Sequence, residues 1–324
     1  MTVKPLTRTF CVLGGTGFVG RRLVSHLVRE GYRVRVPTRN RQRHRDLLVL
    51  PGLELPAADV HDEQALPGLI RGCEAVVNLV GILNEPGHDG SGFSYVHVDL
   101  TAKLLGACRE SGVRRVVHMS ALKANAERGP SRYLKTKGQA EQLLKSQNEI
   151  DYTIFRPSAI FGPGDSFTTR FARLLKRLPI LPLPCPEARM APVFVEDVAR
   201  AFTAALRENH VRNRAYELCG PDVYSLLEIV QLIRRELGIR RAIVPLPRPL
   251  GRLQAWAGDY LVPGKPFTLD NFKSLGVPAV CAENGLDSLK IQPSSLTALA
   301  PTYLRPRAER TLPRGPRTPL GAQE

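Results

Sequence analysis

Residues 9–20 read TFCVLGGTGFVG: a short apolar run, glycines at Gly14, Gly17 and Gly20, and then a stretch in which Leu23, Leu27 and Val28 recur at helical spacing. Glycine at these three places permits a tight turn out of a strand, close approach of backbone to an anion, and close contact between the next helix and that strand. The helix N-terminus adds unpaired N–H groups and a partial positive charge. A second apolar run, YRVRVPT at 32–38, follows at the distance of one crossover. The glycine pattern therefore sits in a strand–turn–helix–strand context and predicts a pyrophosphate cradle built on Gly14, Gly17 and Gly20.

The same rhythm continues outward. LELPA (53–57), EAVVNLVG (74–81), RRVVHMS (114–120) and DYTIFRP (151–157) are each separated by enough chain for a helix, giving six strands. They predict an α/β chain: a Rossmann doubly wound parallel sheet with a smaller C-terminal substrate-side subdomain. We divide it into a dinucleotide-binding core (1–156), mixed core and substrate-side elements (157–240), a C-terminal helical subdomain (241–303) and a disordered basic tail (304–324). Beyond Arg156 come the turn-rich stretches FGPGD and LPILPLPCPE, then a strand–helix pair at APVFVEDVARAF. YELCG reads as a further strand, followed by a helix with Leu226, Ile229, Val230 and Ile233 on one stripe.

The end of the second strand selects the nucleotide. An acidic residue there would bind the adenosine ribose hydroxyls, whereas arginine accommodates a 2′-phosphate. The sequence is VPTRN, with Thr38 and Arg39 and no carboxylate, and Arg41 and Arg43 follow. NADP(H) is favoured over NAD(H), with Arg39 and Arg43 on the phosphate. Asp59 and Val60 are expected against the adenine. Leu79, Val80 and Gly81 are expected to run past the ribose towards the nicotinamide.

Ser120 ends the fifth strand, and Tyr133 and Lys137 stand one helical turn apart beyond it. That spacing lets an ammonium lower a phenol's pKa and hold the nicotinamide ribose, while the tyrosine passes a proton and the cofactor a hydride. Ser120, Tyr133 and Lys137 are the candidate catalytic residues. Ala121 and Leu122, which follow Ser120, carry no hydroxyl.

The chain carries a net charge of +16 and only 6% aromatic residues. Such basicity suits phosphates, an anionic membrane surface or an acidic partner, but no recognised module supports nucleic-acid binding. The six cysteines include no C-x-x-C pair, which argues against a metal site and against a disulfide framework and favours a reducing compartment. His44, His61, His88 and His118 show no metal-ligand grouping and read as surface or packing residues. The N-terminus lacks a signal peptide's apolar stretch, and no run approaches a membrane span. A cytoplasmic protein is expected, with any membrane association peripheral, on the inner face.

GGTGFVG, HMSALKA, SRYLKTKGQAE, FRPSAIFGPGD and PVFVEDVARAF together resemble the atypical, extended short-chain dehydrogenase/reductase group, epimerase/dehydratase-like, that includes the large NADPH-binding accessory subunit of respiratory complex I. The resemblance covers the chain from about residue 9 to GLDSLKIQPSSL. It implies that Gly14, Thr16, Gly17, Phe18 and Val19 cradle the pyrophosphate, that Arg39 meets the 2′-phosphate, and that Tyr133 and Lys137 hold the nicotinamide ribose, with Pro157 and Ser158 across the ring. It also implies His97 where catalytic epimerases carry asparagine, a dinucleotide bound without turnover, and a partner in a respiratory or membrane-surface complex. The alternative is an NAD(P)-dependent reductase, dehydrogenase, epimerase or dehydratase using Tyr133 and Lys137 on a small or nucleotide-linked substrate.

Overall fold

Strand β1 (Thr9–Leu13) serves two cores at once. Phe10 and Val12 point into one apolar cluster, Cys11 and Leu13 into another on the opposite face, as the two-residue period of a strand requires. The computed structural model describes residues 8–305. After β1 come α1 (Phe18–Arg29), β2 (Arg33–Arg35), β3 (Leu53–Glu54), α2 (Leu66–Ile70), β4 (Ala75–Asn78), α3 (Ser91–Ser94), α4 (Leu100–Ser111), β5 (Arg115–Met119), α5 (Arg132–Lys145) and β6 (Asp151–Pro157). The second half adds β7 (Ile160–Phe161), α6 (Thr168–Arg177), β8 (Ile180–Leu183), β9 (Arg189–Met190), β10 (Val193–Phe194), α7 (Val195–Arg207), β11 (Arg214–Leu218), β12 (Tyr224–Ser225), α8 (Leu226–Glu236) and β13 (Ala242–Pro245). It closes with α9 (Arg248–Tyr260), α10 (Leu269–Ser274), α11 (Gly285–Ser288) and α12 (Leu296–Leu304).

The main sheet has seven strands in the order β3-β2-β1-β4-β5-β6-β11, and every neighbouring pair is parallel. The order reverses between β1 and β4, the crevice where such sheets bind ligands. α1 and α7 cover one face and α2, α4 and α5 the other, completing two separate cores. The doubly wound α/β fold is thus as read from the sequence, with β11 added as a seventh strand beside β6. A third cluster, built from Phe161, Leu175, Leu181, Ile229, Ile233 and Leu296, makes the smaller subdomain. Its helix α8 begins in a capping box between Ser225 and Glu228.

Two readings change. LPILPLPCPE is not only turns: Ile180–Leu183 pairs in parallel with Ala242–Pro245, and the one proline within 180–183, Pro182, is exposed on a two-stranded ribbon, an edge where a missing N–H is tolerated. Cys219 and Cys281 form a disulfide, which their wide spacing had argued against. The loop after α10 returns to the end of β11, and sequence distance carries no information about that meeting. α12 reaches Leu304, and the tail expected beyond it lies, from 306 onward, outside the described residues. Cys281→Ser opens a link spanning 62 positions and is expected to lower stability by about 3–4 kcal/mol in urea unfolding under oxidising conditions. A variant as stable as the parent would mean the two sulfurs are not bonded in solution.

Candidate functional site

The cradle forms as a turn in which Gly14 takes φ +79° and Gly17 N–H donates to Gly14 O at 3.0 Å. A side chain on Gly14 would lie 3.2 Å from the backbone of Leu79 and Val80, so the turn rests directly on the end of β4. A side chain on Gly20 would meet Gly14 O at 2.3 Å and Gly15 Cα at 2.6 Å, which fixes α1 against the turn. Gly17 caps α1 without a side-chain hydrogen bond, and the first turn holds no acidic residue. The N–H groups of Phe18, Val19 and Gly20 are therefore open to an anion. Arg21 braces the turn from behind: Nε donates to Thr16 O at 3.0 Å, and the guanidinium pairs with Asp46. A cavity of about 490 Å³ borders Thr16, Gly17 and Phe18 on one side and Pro163 and Gly164 of the FGPGD loop on the other.

Beyond the end of β2, Thr38 Oγ1 accepts from Asn40 N–H and Asn40 Oδ1 from Arg43 N–H, so the loop carrying Arg39 and Arg43 is ordered by its own side chains. Arg39 is exposed and forms no ion pair or side-chain hydrogen bond among the described residues. Asp59 Oδ1 accepts from His61 N–H at 3.0 Å, and Lys103 Nζ donates to His61 O at 2.8 Å. The His61 ring stacks on Tyr95 at 4.2 Å. Burial holds its imidazole below the usual range, and Lys103 and Arg39 add to that against Asp59. Val60 and Val80 pack on one core and Leu79 on the other, leaving the backbone of 79–81 along the crevice.

Gly81 marks the opposite end, where a side chain would sit 3.0 Å from Lys137 Nζ and 3.5 Å from His97 Nε2. Buried Lys137 donates to Met119 O at 3.0 Å, and burial lowers its ammonium to about 8 against the opposing charge of Glu141. His97 lies in a π-helical turn, Tyr95–Asp99, between α3 and α4. Its Nε2 accepts from Ile82 N–H at 3.2 Å and its Nδ1 meets Thr136 Oγ1 at 2.9 Å, so it is neutral with the proton on Nδ1. Burial, then Lys137 and His118, push it down to about 2.

Tyr133 lies edge-on to His97, ring centroids 5.6 Å apart. Burial, with the charge of Asp270, raises its phenol to about 12, where the sequence reading had Lys137 lowering it. At neutral pH it is a proton donor and not a base. Ser120 donates to Glu141 Oε1 at 2.6 Å, and Glu141 is also bound by Arg156 and Lys145. Burial would raise the Glu141 carboxyl, but the Arg156 guanidinium outweighs it and, with Ser120 and Lys145, holds the carboxyl below its ordinary range. Ala121 and Leu122 are buried beside Ser120. Pro157 ends β6, and Ser158 donates to Ala279 O at 2.8 Å.

The structure thus gathers the glycine turn, residues 79–81, Lys137 and His97 along one crevice, while the hydroxyls of Ser120 and Ser158 are engaged elsewhere. Sequence reasoning missed two supports, Asp270 and Glu141. Asp270 of α10 accepts from Arg132 N–H and Tyr133 N–H at 2.7 and 3.1 Å and so caps the helix that carries Tyr133 and Lys137. Glu141 organises the Ser120 side. His118, read as a packing residue, is buried with neither ring nitrogen hydrogen-bonded and is lowered to about 3 by burial and by Lys137. A four-residue helical repeat links Lys137 to Glu141; no local signal exists for Asp270.

A family model described as the NAD dependent epimerase/dehydratase family matches residues 10–219. Mitochondrial NADH dehydrogenase (ubiquinone) 1 alpha subcomplex subunit 9 of Arabidopsis thaliana is 30% identical over 291 residues, 85% of this chain and 71% of that one. Its counterpart from Mus musculus is 30% identical over 309 residues, 91% and 79% of the two chains. A ceramide reductase of Caulobacter vibrioides is 31% identical over 241 residues, 74% and 73%. Among solved structures, a UDP-galactose 4-epimerase superposes with a TM-score of 0.70 at 21% identity, covering 94% of this chain and 100% of that one.

Proposed function

This chain belongs to the NAD dependent epimerase/dehydratase family, and we infer that it carries NADP(H) as a tightly held dinucleotide in a protein that does not turn it over. The observation that carries the reading is the state of the proton-relay side. Ala121 and Leu122 offer no hydroxyl, Ser120 spends its own on Glu141, and the Tyr133 phenol is raised to about 12. Without a hydroxyl on the reacting oxygen and a lowered phenol, neither the oxidation of an alcohol nor the proton transfer of an epimerase has its base. The cofactor-holding groups are intact, since the N–H donors of α1's first turn are open and Lys137 and neutral His97 line the ribose end.

When bound, the nicotinamide would supply hydride chemistry; this chain's residues bind, orient and enclose it. Phe18, Val19 and Gly20 would meet the pyrophosphate with backbone N–H groups. Asp59 and Val60 would border the adenine, and Pro157 and Ser158 the far side of the nicotinamide. Arg39 carries the preference for the 2′-phosphate, with Arg43 adding positive field, because its exposed guanidinium has no ion pair among the described residues and can bind phosphate through two nitrogens. The relatives named as subunits of mitochondrial NADH dehydrogenase support a place in a respiratory assembly.

Heat or acid release from gently purified protein, followed by mass spectrometry, is expected to yield near-stoichiometric NADP(H) that survives dialysis. Arg39→Asp should weaken NADP(H) retention by roughly ten- to a hundredfold through loss of charge-assisted hydrogen bonds. Recovery of NAD(H) alone would sink the 2′-phosphate assignment. A freely exchanging site would favour the second reading, a reductase acting through Tyr133 as proton donor, which the ceramide reductase relative supports.

A further inference from the structure

Helix α9 turns its large apolar side chains outward. Gly251, Ala255 and Gly258 are its buried residues. Side chains on the two glycines would meet Pro184 at 3.3 Å, Phe272 at 3.4 Å and Phe267 O at 2.3 Å, so only this small-residue side lets the helix seat. The other side presents Leu250, Leu253, Trp256 and Tyr260, which are 50, 58, 45 and 53% exposed. At about 100° per residue these four and Ala257 share one arc that contains no charge, with Arg252 at its border. A surface helix of a self-contained domain has the reverse arrangement.

The neighbouring β8–β13 ribbon extends the apolar surface. Its register sets Ala242 beside Ile180 and Val244 beside Pro182, and Ile180 and Val244 are exposed while Leu181 and Leu183 are buried. Leu246 N–H donates to Leu183 O at 2.9 Å just before α9 begins. The two segments that build this face, 166–186 and 237–260, contain eight arginines and lysines, Arg240, Arg241, Arg248 and Arg252 among them, and one acid, Asp259, which is paired with Lys265 and His88.

We propose that this face docks on the anionic surface of a lipid bilayer, with α9 lying in the interfacial plane and Leu253, Trp256 and Tyr260 among the headgroups and upper acyl chains. The face is a protruding apolar ridge, with tryptophan and tyrosine among the side chains presented and cations at its border, the composition an interfacial helix needs. Its charge is predominantly positive, so a second copy seated on it would set arginines and lysines against arginines and lysines. No helix among the described residues is long and apolar enough to cross a membrane, which leaves α9 in the plane of the surface. The inference stands independently of the dinucleotide reading.

Trp256 is the only tryptophan of the chain, so its fluorescence reports this face alone. Full-length protein mixed with phosphatidylcholine vesicles containing phosphatidylglycerol should show a blue-shifted emission, quenching by brominated acyl chains and release by salt; phosphatidylcholine alone should show none of these. Leu253→Glu is expected to weaken vesicle binding about tenfold or more, and Arg240→Glu/Arg241→Glu likewise on anionic vesicles. Val223→Glu, at an exposed apolar residue outside both segments, should leave binding unchanged. Absence of a spectral change with anionic vesicles, equal binding to the neutral ones, or undiminished binding by Leu253→Glu each overturns the proposal. So does a concentration-dependent dimer in sedimentation equilibrium that Leu253→Glu abolishes, which would assign the face to a second copy.

Discussion

Moving the protein from pH 7 to pH 4.5 should cost roughly 5 kcal/mol of stability, most of it from two histidines. His97 and His118 are buried and neutral, lowered to about 2 and about 3, with burial the first cause in both. His97 could gain a second proton only at Nε2, which already accepts from Ile82 N–H, and His118 has no acceptor for either ring proton. Both also face the Lys137 ammonium. In the unfolded chain each titrates near 6.5, so below that pH the unfolded state takes up protons that the folded state refuses. Stability therefore falls with falling pH from about 6.5 down to the folded values, by about 2–3 kcal/mol per histidine at pH 4.5. Against a typical total of about 5–15 kcal/mol, that is enough to unfold a marginal domain. Glu141, held low, adds to the loss only below the ordinary carboxylate range. Urea unfolding at the two pH values measures it, with His97→Asn expected to remove about half of the dependence and His118→Leu the other half. A stability that stays level between pH 7 and 4.5 would rule out neutral burial of both rings.

Gly20→Val should abolish dinucleotide retention. The new side chain begins 2.3 Å from Gly14 O and 2.6 Å from Gly15 Cα, both backbone atoms, so no side chain can move aside and α1 must shift away from the turn. The N–H groups of Phe18, Val19 and the residue at 20 then lose their aim. Two or three charge-assisted hydrogen bonds at about 1.5 kcal/mol or more each correspond to at least a hundredfold weaker binding. The shift should also cost about 1–3 kcal/mol of stability. Gly106→Ala is the control, since a side chain there meets nothing within 4 Å and α4 is helical around it; it should stabilise slightly and leave nucleotide content alone. Nucleotide released per mole of purified protein reads both variants, and a fully loaded Gly20→Val protein would show that the cofactor is held by other contacts.

The parallel sheet, the glycine turn and the Tyr133–Lys137 pair were legible because their signals are local. A strand repeats every two residues and a helix every 3.6, and the glycine spacing encodes one turn's geometry, so a window of a dozen residues carries the whole message. The same holds for α8, whose predicted stripe Leu226, Ile229, Val230 and Ile233 is buried as read. On α9 hydrophobicity is no guide to burial: Leu250, Leu253 and Trp256 stand at core-stripe spacing, yet close packing against Pro184 and Phe267 admits only glycine and alanine and sends them to the surface. Which face of a helix is buried depends on the shape of what it meets, a property of another part of the chain.

The sequence by itself determined the fold class and the glycine turn between β1 and α1, at the crevice end of the sheet. Tertiary structure alone decided that Ser120 turns to Glu141, that Asp270 caps the helix of Tyr133 across 137 positions, that Cys219 meets Cys281, and that two histidines are buried beside Lys137. Hydrogen bonds, disulfides and desolvation act over a few ångströms of space whatever the separation along the chain, so their partners exist only once the topology has brought them together.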